Sequence, residues 1–417
     1  MNDIIETKNQ ELIQNITNQI SSINNFISWA DSHLQQSRRE ETFKKLVNVR
    51  RQLKRLRFSL ESNPAIAAFG ESQKGKSYVI SSLLARKGKQ FMVNDSMTGE
   101  TYNFVEQLNP ITRDTEATGV ATRFTKSYEV PNESYPIMVK VLSIADMLQI
   151  LCDTAYNDVK SHSVIDREDI DEFMIAQERR YKGSPKVQEV LDEDDIMNVR
   201  EYVEEHVGIT KAKELLDSRF FDVLARIIPH VQPREWPQLI SKLWYDNPDI
   251  TSLFIRMLQG YETLGFSKKV YIPISALLNT TTTLMSSLCL QKLDVASPTT
   301  GNVDPNMGTD LLTEDKKVVG GFSKSVLSSI AAEVVFQIPE ETIAEELIYN
   351  TEGILDDGNR QRLLSKGWNK KVSKEFLNTV DIFDFPGARA ALELQEEQIK
   401  IELNNKMMLR GKVRYLF

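Results

Sequence analysis

Gly70, Gly75, Lys76 and Ser77 stand in the order G-x-x-x-x-G-K-S, and each residue type has a chemical use at that spacing. Glycines let a backbone turn tightly and bring successive N–H groups onto one anion, while the positive end of a following helix faces the same point. A chain of phosphates fits such a cradle. Lys76 is then placed for the β/γ-phosphates and Ser77 for a hydroxyl on Mg²⁺. The run Gly70, Glu71, Ser72, Gln73, Lys74, Gly75, Lys76, Ser77 and Tyr78 is therefore the expected nucleotide-binding segment. A Gly/Lys-rich surface turn is the alternative, but the flanks argue for the cradle. Pro64 to Phe69 is the short apolar run of a buried parallel strand, and Tyr78 to Leu84 continues with helical spacing.

A second chemistry-bearing stretch is Val380-Asp-Ile-Phe-Asp-Phe-Pro-Gly387, an apolar strand ending in D-x-P-G. In GTP-binding proteins with a phosphate loop, an Asp at such a strand end orients Mg²⁺ and a Gly N–H senses the γ-phosphate. Asp384 and Gly387 fit those roles. Alone, D-x-P-G is an ordinary turn signature, with Pro presetting φ and Gly taking positive φ; paired with the upstream loop it reads as functional. Between the two lies Thr115 to Thr125, which feeds a strand and then Tyr135 to Leu142. A switch loop needs a Thr that completes the Mg²⁺ shell and contacts the γ-phosphate. Thr118 is the first candidate and Thr122 the second, although Thr is also an ordinary strand residue. Arg123 reads as an exposed strand-edge residue rather than an arginine finger.

These residues need a sheet and a helix to position them, and the periodicity supplies both. Asn2 to Leu34 and Glu40 to Glu61 read as two long helices, so residues 1–62 are expected to form a helical hairpin. Residues 63–143 read as the first half of a nucleotide-binding domain, 144–330 as a mainly helical insertion, and 331–417 as the continuation of that domain. Within the insertion, Lys269 to Ile274 is strand-like, Ser275 to Leu290 helix-like, and Ala296 to Gly308 a loop rich in Pro, Gly, Asn and Thr. Val334 to Ile338 reads as a strand, and Glu340 to Ile348 and Asn359 to Leu364 as helices. The expected fold class is α/β, a P-loop NTPase sheet of GTPase type with extensive helical additions.

The chain has 417 residues, 41% hydrophobic and 26% charged, with a formal net charge of -8, an ordinary globular balance that argues against general nucleic-acid binding. Its two cysteines, Cys152 and Cys289, sit in apolar surroundings and suit buried thiols in a cytoplasmic setting. No C-x-x-C or H-E-x-x-H spacing occurs, and the N-terminus lacks the basic start and apolar run of a signal peptide. One segment departs from the acidic balance: Arg38 to Arg57 carries nine Lys or Arg against Glu40 and Glu41. It reads as a solvated helix face whose long stems cover apolar surface, with peripheral contact to an anionic membrane as the alternative. Acidic stretches at Glu189 to Asp195 and Glu201 to Glu205 read as wet surface, or as partners for that basic helix. Trp236 and Trp244 read as core anchors.

The stretches FGESQKGKSYVISSLL, LNPITRDTEATGVATRFT, DIFDFPGARA and RGKVRYLF together resemble the SrfC-type bacterial virulence factors, a group similar to dynamin-like large GTPases. The resemblance covers the loop, the switch region and the D-x-P-G strand. It implies a GTPase-type domain within a long helical protein, with protein partners that include products of neighbouring genes. Two departures stand out. Ala388 occupies the place where Ras-type enzymes carry the water-orienting Gln. Catalysis then rests on Lys76 and Thr118, with Ser72 and Gln73 as loop side chains near the γ-phosphate. No N/T-K-x-D element follows Gly387, so the cofactors expected are Mg²⁺ with GTP or ATP, and the chain reads as an N-terminal fragment. The expected function is nucleotide binding and hydrolysis as a conformational switch, with a non-hydrolysing scaffold as the rival.

Overall fold

The structure is a computed structural model, and it describes residues 2–34, 36–68, 75–85, 89–109, 120–128, 130–159, 165–278, 283–285, 289, 307–343, 346–347, 357–366 and 371–385. The chain opens with α1 (Asn2–His33) and α2 (Gln36–Glu61), then β1 (Ala65–Ala68) and α3 (Lys76–Leu84). A hairpin of β2 (Met92–Asn94) and β3 (Thr101–Asn103) leads into a π-helical turn, Phe104–Leu108, before β4 (Ala121–Thr125) and β5 (Ile137–Val141). Seven helices follow: α4 (Ile144–Asp158), α5 (Arg167–Tyr181), α6 (Glu193–Tyr202), α7 (Lys213–Asp217), α8 (Phe220–Ile227), α9 (Trp236–Ile240) and α10 (Pro248–Thr263). The chain then alternates through β6 (Lys269–Ile272), β7 (Gly308–Thr313), β8 (Val318–Ser323), α11 (Lys324–Ile330) and β9 (Ala331–Gln337). Last come α12 (Glu340–Ile343), β10 (Glu346–Leu347), α13 (Asp357–Ser365), β11 (Lys371–Val372) and β12 (Asp381–Asp384).

Two compact units result, Met1–Pro64 with Ser161–Asp246, and Ala65–Lys160 with Asn247–Phe417. The first is helical. Ile16, Ile20, Ile27 and Ala30 bury one stripe of α1 and Val47 answers from α2, the helical period that makes two long amphipathic helices pair. Trp236 and Trp244 are fully buried, as expected of core anchors, and the Trp236 indole N–H donates to the Val231 carbonyl.

The basic face of α2 is solvated only in part: Lys44, Lys45 and Arg55 are exposed, whereas Arg50 and Arg51 are buried. Arg50 is buried, and its Nε donates to both oxygens of the equally buried Asp194 at 3.0 and 2.9 Å, with Nη2 adding a 2.8 Å bond to Oδ1. Asn24 of α1 takes a further Arg50 N–H at 2.7 Å. Lys54 bridges Asp192 and Asp194, Arg51 and Arg55 converge on Glu201, and Lys44 reaches Asp222. The acidic stretches are thus the partners of the basic helix within this unit. Glu193, Asp194 and Asp195 also occupy the first turn of α6, where the helix dipole favours them, and Asp192 and Asp195 close a capping box.

The second unit is built on a mixed eight-stranded sheet in the order β1-β12-β4-β9-β5-β6-β7-β8. Only β1 with β12 and β4 with β9 run parallel. The strands β6, β7 and β8, inside the stretch expected to be a mainly helical insertion, extend this sheet. Other local expectations need correction too: β1, expected to be a buried strand, stands at the edge of the sheet with Ala65 and Ile66 exposed. Of the expected helix Ser275 to Leu290, Ile274–Leu277 is a 3₁₀ turn, and 279–282, 286–288 and 290 lie outside the described residues; the expected helix Glu340 to Ile348 is helical over Glu340–Ile343, but Glu346–Leu347 pairs instead with Lys371–Val372. Arg123 is not at a strand edge, because β12 and β9 flank β4. Its guanidinium binds Glu333 at 2.7 and 3.1 Å and Asp381 at 2.6 Å, over the face of Phe383. Among the described residues, no helix is long and apolar enough to cross a membrane.

The buried Arg50–Asp194 pair sets a stability expectation for the helical unit. Removing one partner strands a buried charge, at a cost of about 3 kcal/mol or more. Arg50→Ala should lower the unfolding free energy by that amount in urea titrations followed by tryptophan fluorescence. Arg55→Ala, removing a side chain 57% exposed, should change it by less than about 1 kcal/mol.

Candidate functional site

Strand register gathers the candidate residues. Because β1 and β12 are parallel, with Ala68 beside Asp384, their C-terminal ends share one edge of the sheet. β4 is antiparallel to β12, with Thr122 beside Asp384, so its N-terminal end meets the same edge. Three segments of sequence therefore join the sheet there: the one after Ala68, the one before Val120 and the one after Phe385. Ligands of open α/β sheets bind beyond the carboxyl ends of strands. Gly70, Glu71, Ser72, Gln73, Lys74, Thr118 and Gly387 all lie in those segments, outside the described residues.

Gly75, Lys76, Ser77 and Tyr78 are described, and they form the start of α3. Gly75 holds the cap position at φ 84°, a left-handed conformation that a side chain would strain, and it offers no side chain to cap the helix. The first N–H groups of a helix have no partner within it and face outward along its axis. Ser77 Oγ donates to Asp384 Oδ2 at 2.5 Å, joining the start of α3 to the end of β12. Tyr78 is exposed and points its ring away from any core.

Asp384 is fully buried, and its second oxygen, Oδ1, has no hydrogen-bond partner among the described residues. The same holds for Oγ1 of Thr122, buried next to it in β4. Thr122 is thus fixed in a central strand rather than carried on a loop, which leaves Thr118 as the loop candidate. Burial pushes the Asp384 carboxyl up to about 6; the Ser77 hydrogen bond and the Lys76 charge oppose that only in part. A serine hydroxyl beside a buried carboxylate with one open oxygen is a hard-oxygen donor set, of the kind that suits Mg²⁺.

Sequence reasoning missed one neighbour. Asn109, at the end of the π-helical turn and buried, donates from Nδ2 to Ser77 Oγ at 3.3 Å. An Asn closing a short segment carries no signal of its own, and only the packing of that turn brings it here.

A family model described as "Putative bacterial virulence factor" matches residues 27–370 and 364–417. The chain belongs to that family. The match to this virulence-factor family takes in the helical unit from Ile27 onward as well as the sheet that carries Ser77 and Asp384. No curated protein and no solved structure matches the chain.

Asp384 gives the site a pH signature. A carboxyl whose folded pKa stands above its ordinary value makes the folded state bind the proton more tightly, so its cost is absent below about pH 4 and is complete above about pH 6. Stability in urea should therefore fall through that window by about 3 kcal/mol from this group. Asp384→Asn, which keeps an acceptor for Ser77, should be more stable than the wild type at pH 7.5 and equal to it near pH 4.

Proposed function

We propose that this virulence-factor family member binds a nucleoside triphosphate with Mg²⁺ and hydrolyses it as a conformational switch, GTP being the expected nucleotide. The fold proposed for the second unit is a P-loop NTPase of GTPase type, similar to that of dynamin-like large GTPases. The observation that carries the reading is the 2.5 Å Ser77–Asp384 hydrogen bond, beside a buried carboxylate oxygen that lacks a partner among the described residues. An orphan buried oxygen costs stability unless something fills the position next to it. The G-x-x-x-x-G-K-S and D-x-P-G motifs explain what does.

The residues would divide the work as follows. The N–H groups at the start of α3 would face the phosphate oxygens, together with those from Gly70 to Gly75. Lys76 would lend its charge to the β/γ-phosphates, and Thr118 and Gly387 would read the γ-phosphate from their loops. Ser77 and Asp384 would hold Mg²⁺, with Thr118 as a third oxygen. When bound, that ion neutralises charge developing on the phosphate oxygens. Ser72 and Gln73 would orient water in place of the Gln that Ala388 replaces. ATP would use every one of these contacts, and only a base-binding element would separate the two nucleotides.

Titration with fluorescent GTP and ATP tests the reading. The wild-type protein should bind one or both nucleotides in the presence of Mg²⁺, and Lys76→Ala should weaken binding at least tenfold. Single-turnover hydrolysis then separates a switch from a non-hydrolysing scaffold. Absence of binding by either nucleotide would overturn the proposal.

A further inference from the structure

Phe104 explains how Asn109 comes to lie at the site. The segment Asn103–Asn109 spells N-F-V-E-Q-L-N, with an Asn at each end. The Asn103 side chain accepts from the N–H groups of Val105 and Glu106 at 3.0 and 3.2 Å, starting the turn. The Asn109 N–H donates to the Phe104 carbonyl at 2.7 Å, closing it. Between them, Phe104 is wholly buried and stacks edge-on against Phe91, Phe124 and Phe336 with ring centroids 5.0–6.1 Å apart. Phe124 lies two residues from Thr122 and faces the same side of the sheet as Asp384. The turn is therefore bolted to the strand that borders the site, and its last residue is held where its amide meets Ser77.

The chemistry of a hydroxyl gives that contact a meaning. Ser77 Oγ has one proton and two lone pairs. The proton goes to Asp384 Oδ2, and the Asn109 N–H takes one lone pair. Among the described residues, nothing takes the second lone pair. We propose that Asn109 is a positioning residue: it fixes the rotation of the Ser77 hydroxyl so that this remaining lone pair is presented to the divalent cation. The inference rests on the nucleotide–Mg²⁺ reading above and adds a residue outside both motifs. It also ties the cation to the start of the segment that carries Thr118, since Asn109 immediately precedes it in sequence.

The test separates cation affinity from nucleotide affinity and from folding. Fluorescent GTP, or ATP should the protein prefer it, is titrated with Mg²⁺ at fixed nucleotide, and again in EDTA without any cation. Asn109→Leu, which keeps the branched shape and deletes the donor, and Asn109→Ala should each raise the Mg²⁺ midpoint about fivefold, the weight of one hydrogen bond. Neither should change cation-free nucleotide binding by a comparable factor, and both variants should still unfold in one cooperative transition. An unchanged Mg²⁺ midpoint in a folded Asn109→Leu protein would overturn the inference while leaving the nucleotide reading intact. Parallel loss of cation-free binding or of folding in both variants would also overturn it, assigning Asn109 a structural role. Wild-type protein whose nucleotide binding ignores Mg²⁺ would remove the reading and this inference together.

Discussion

Two strands of four residues each, β1 and β12, pair in parallel and in register, and the candidate site exists because of that pairing. It brings together a serine and an aspartate that are 307 residues apart in the chain. A register slip of one residue would turn Asp384 to the opposite face of the sheet and leave Ser77 without its partner. Much of the second unit holds that register: β4 pins β12 from its other side, β9 pins β4, and a layer of buried phenylalanines covers the face to which Asp384 belongs.

Energetically the site is the opposite of its surroundings. Ile382, Phe124, Phe336 and Val334 around it are apolar and close-packed, whereas Asp384 and Thr122 each bury an oxygen that nothing satisfies among the described residues. Such groups cost stability, and they concentrate where a ligand completes them. Arg123 makes the contrast plain. On the other face of the same strands it is also buried and charged, but Glu333 and Asp381 satisfy it, and it serves as a brace across β9, β4 and β12. The helical unit follows the same rule, with Arg50 and Asp194 sealed together and no orphan left between them.

Legibility in the sequence followed the range of the interactions. α1, α2, α3, β5 and β9 were readable from the spacing of apolar residues alone, because each is a local pattern. Ser77 and Asp384 were readable as chemistry because their motifs are local as well. What could not be read was pairing. The β7–β8 hairpin and the strands flanking Arg123 depend on partners far off in the chain, so Arg123 looked like an edge residue. The basic helix offered only a charge count, from which a wet surface and a buried ion-pair network are indistinguishable. Asn109 lies in the stretch LNPITRDTEATGVATRFT but had no chemical role to read there, since its place is set by Phe104 in a cluster of aromatic rings drawn from three other parts of the chain.

Electron paramagnetic resonance of Mn²⁺, used as a spectroscopic stand-in for Mg²⁺, tests the central claim at the atoms concerned. Bound Mn²⁺ should appear when GTP or ATP is added to the wild-type protein, and should be lost in both Ser77→Ala and Asp384→Ala. Mn²⁺ that stays free with either nucleotide, or that binds equally well without these two side chains, would contradict the account.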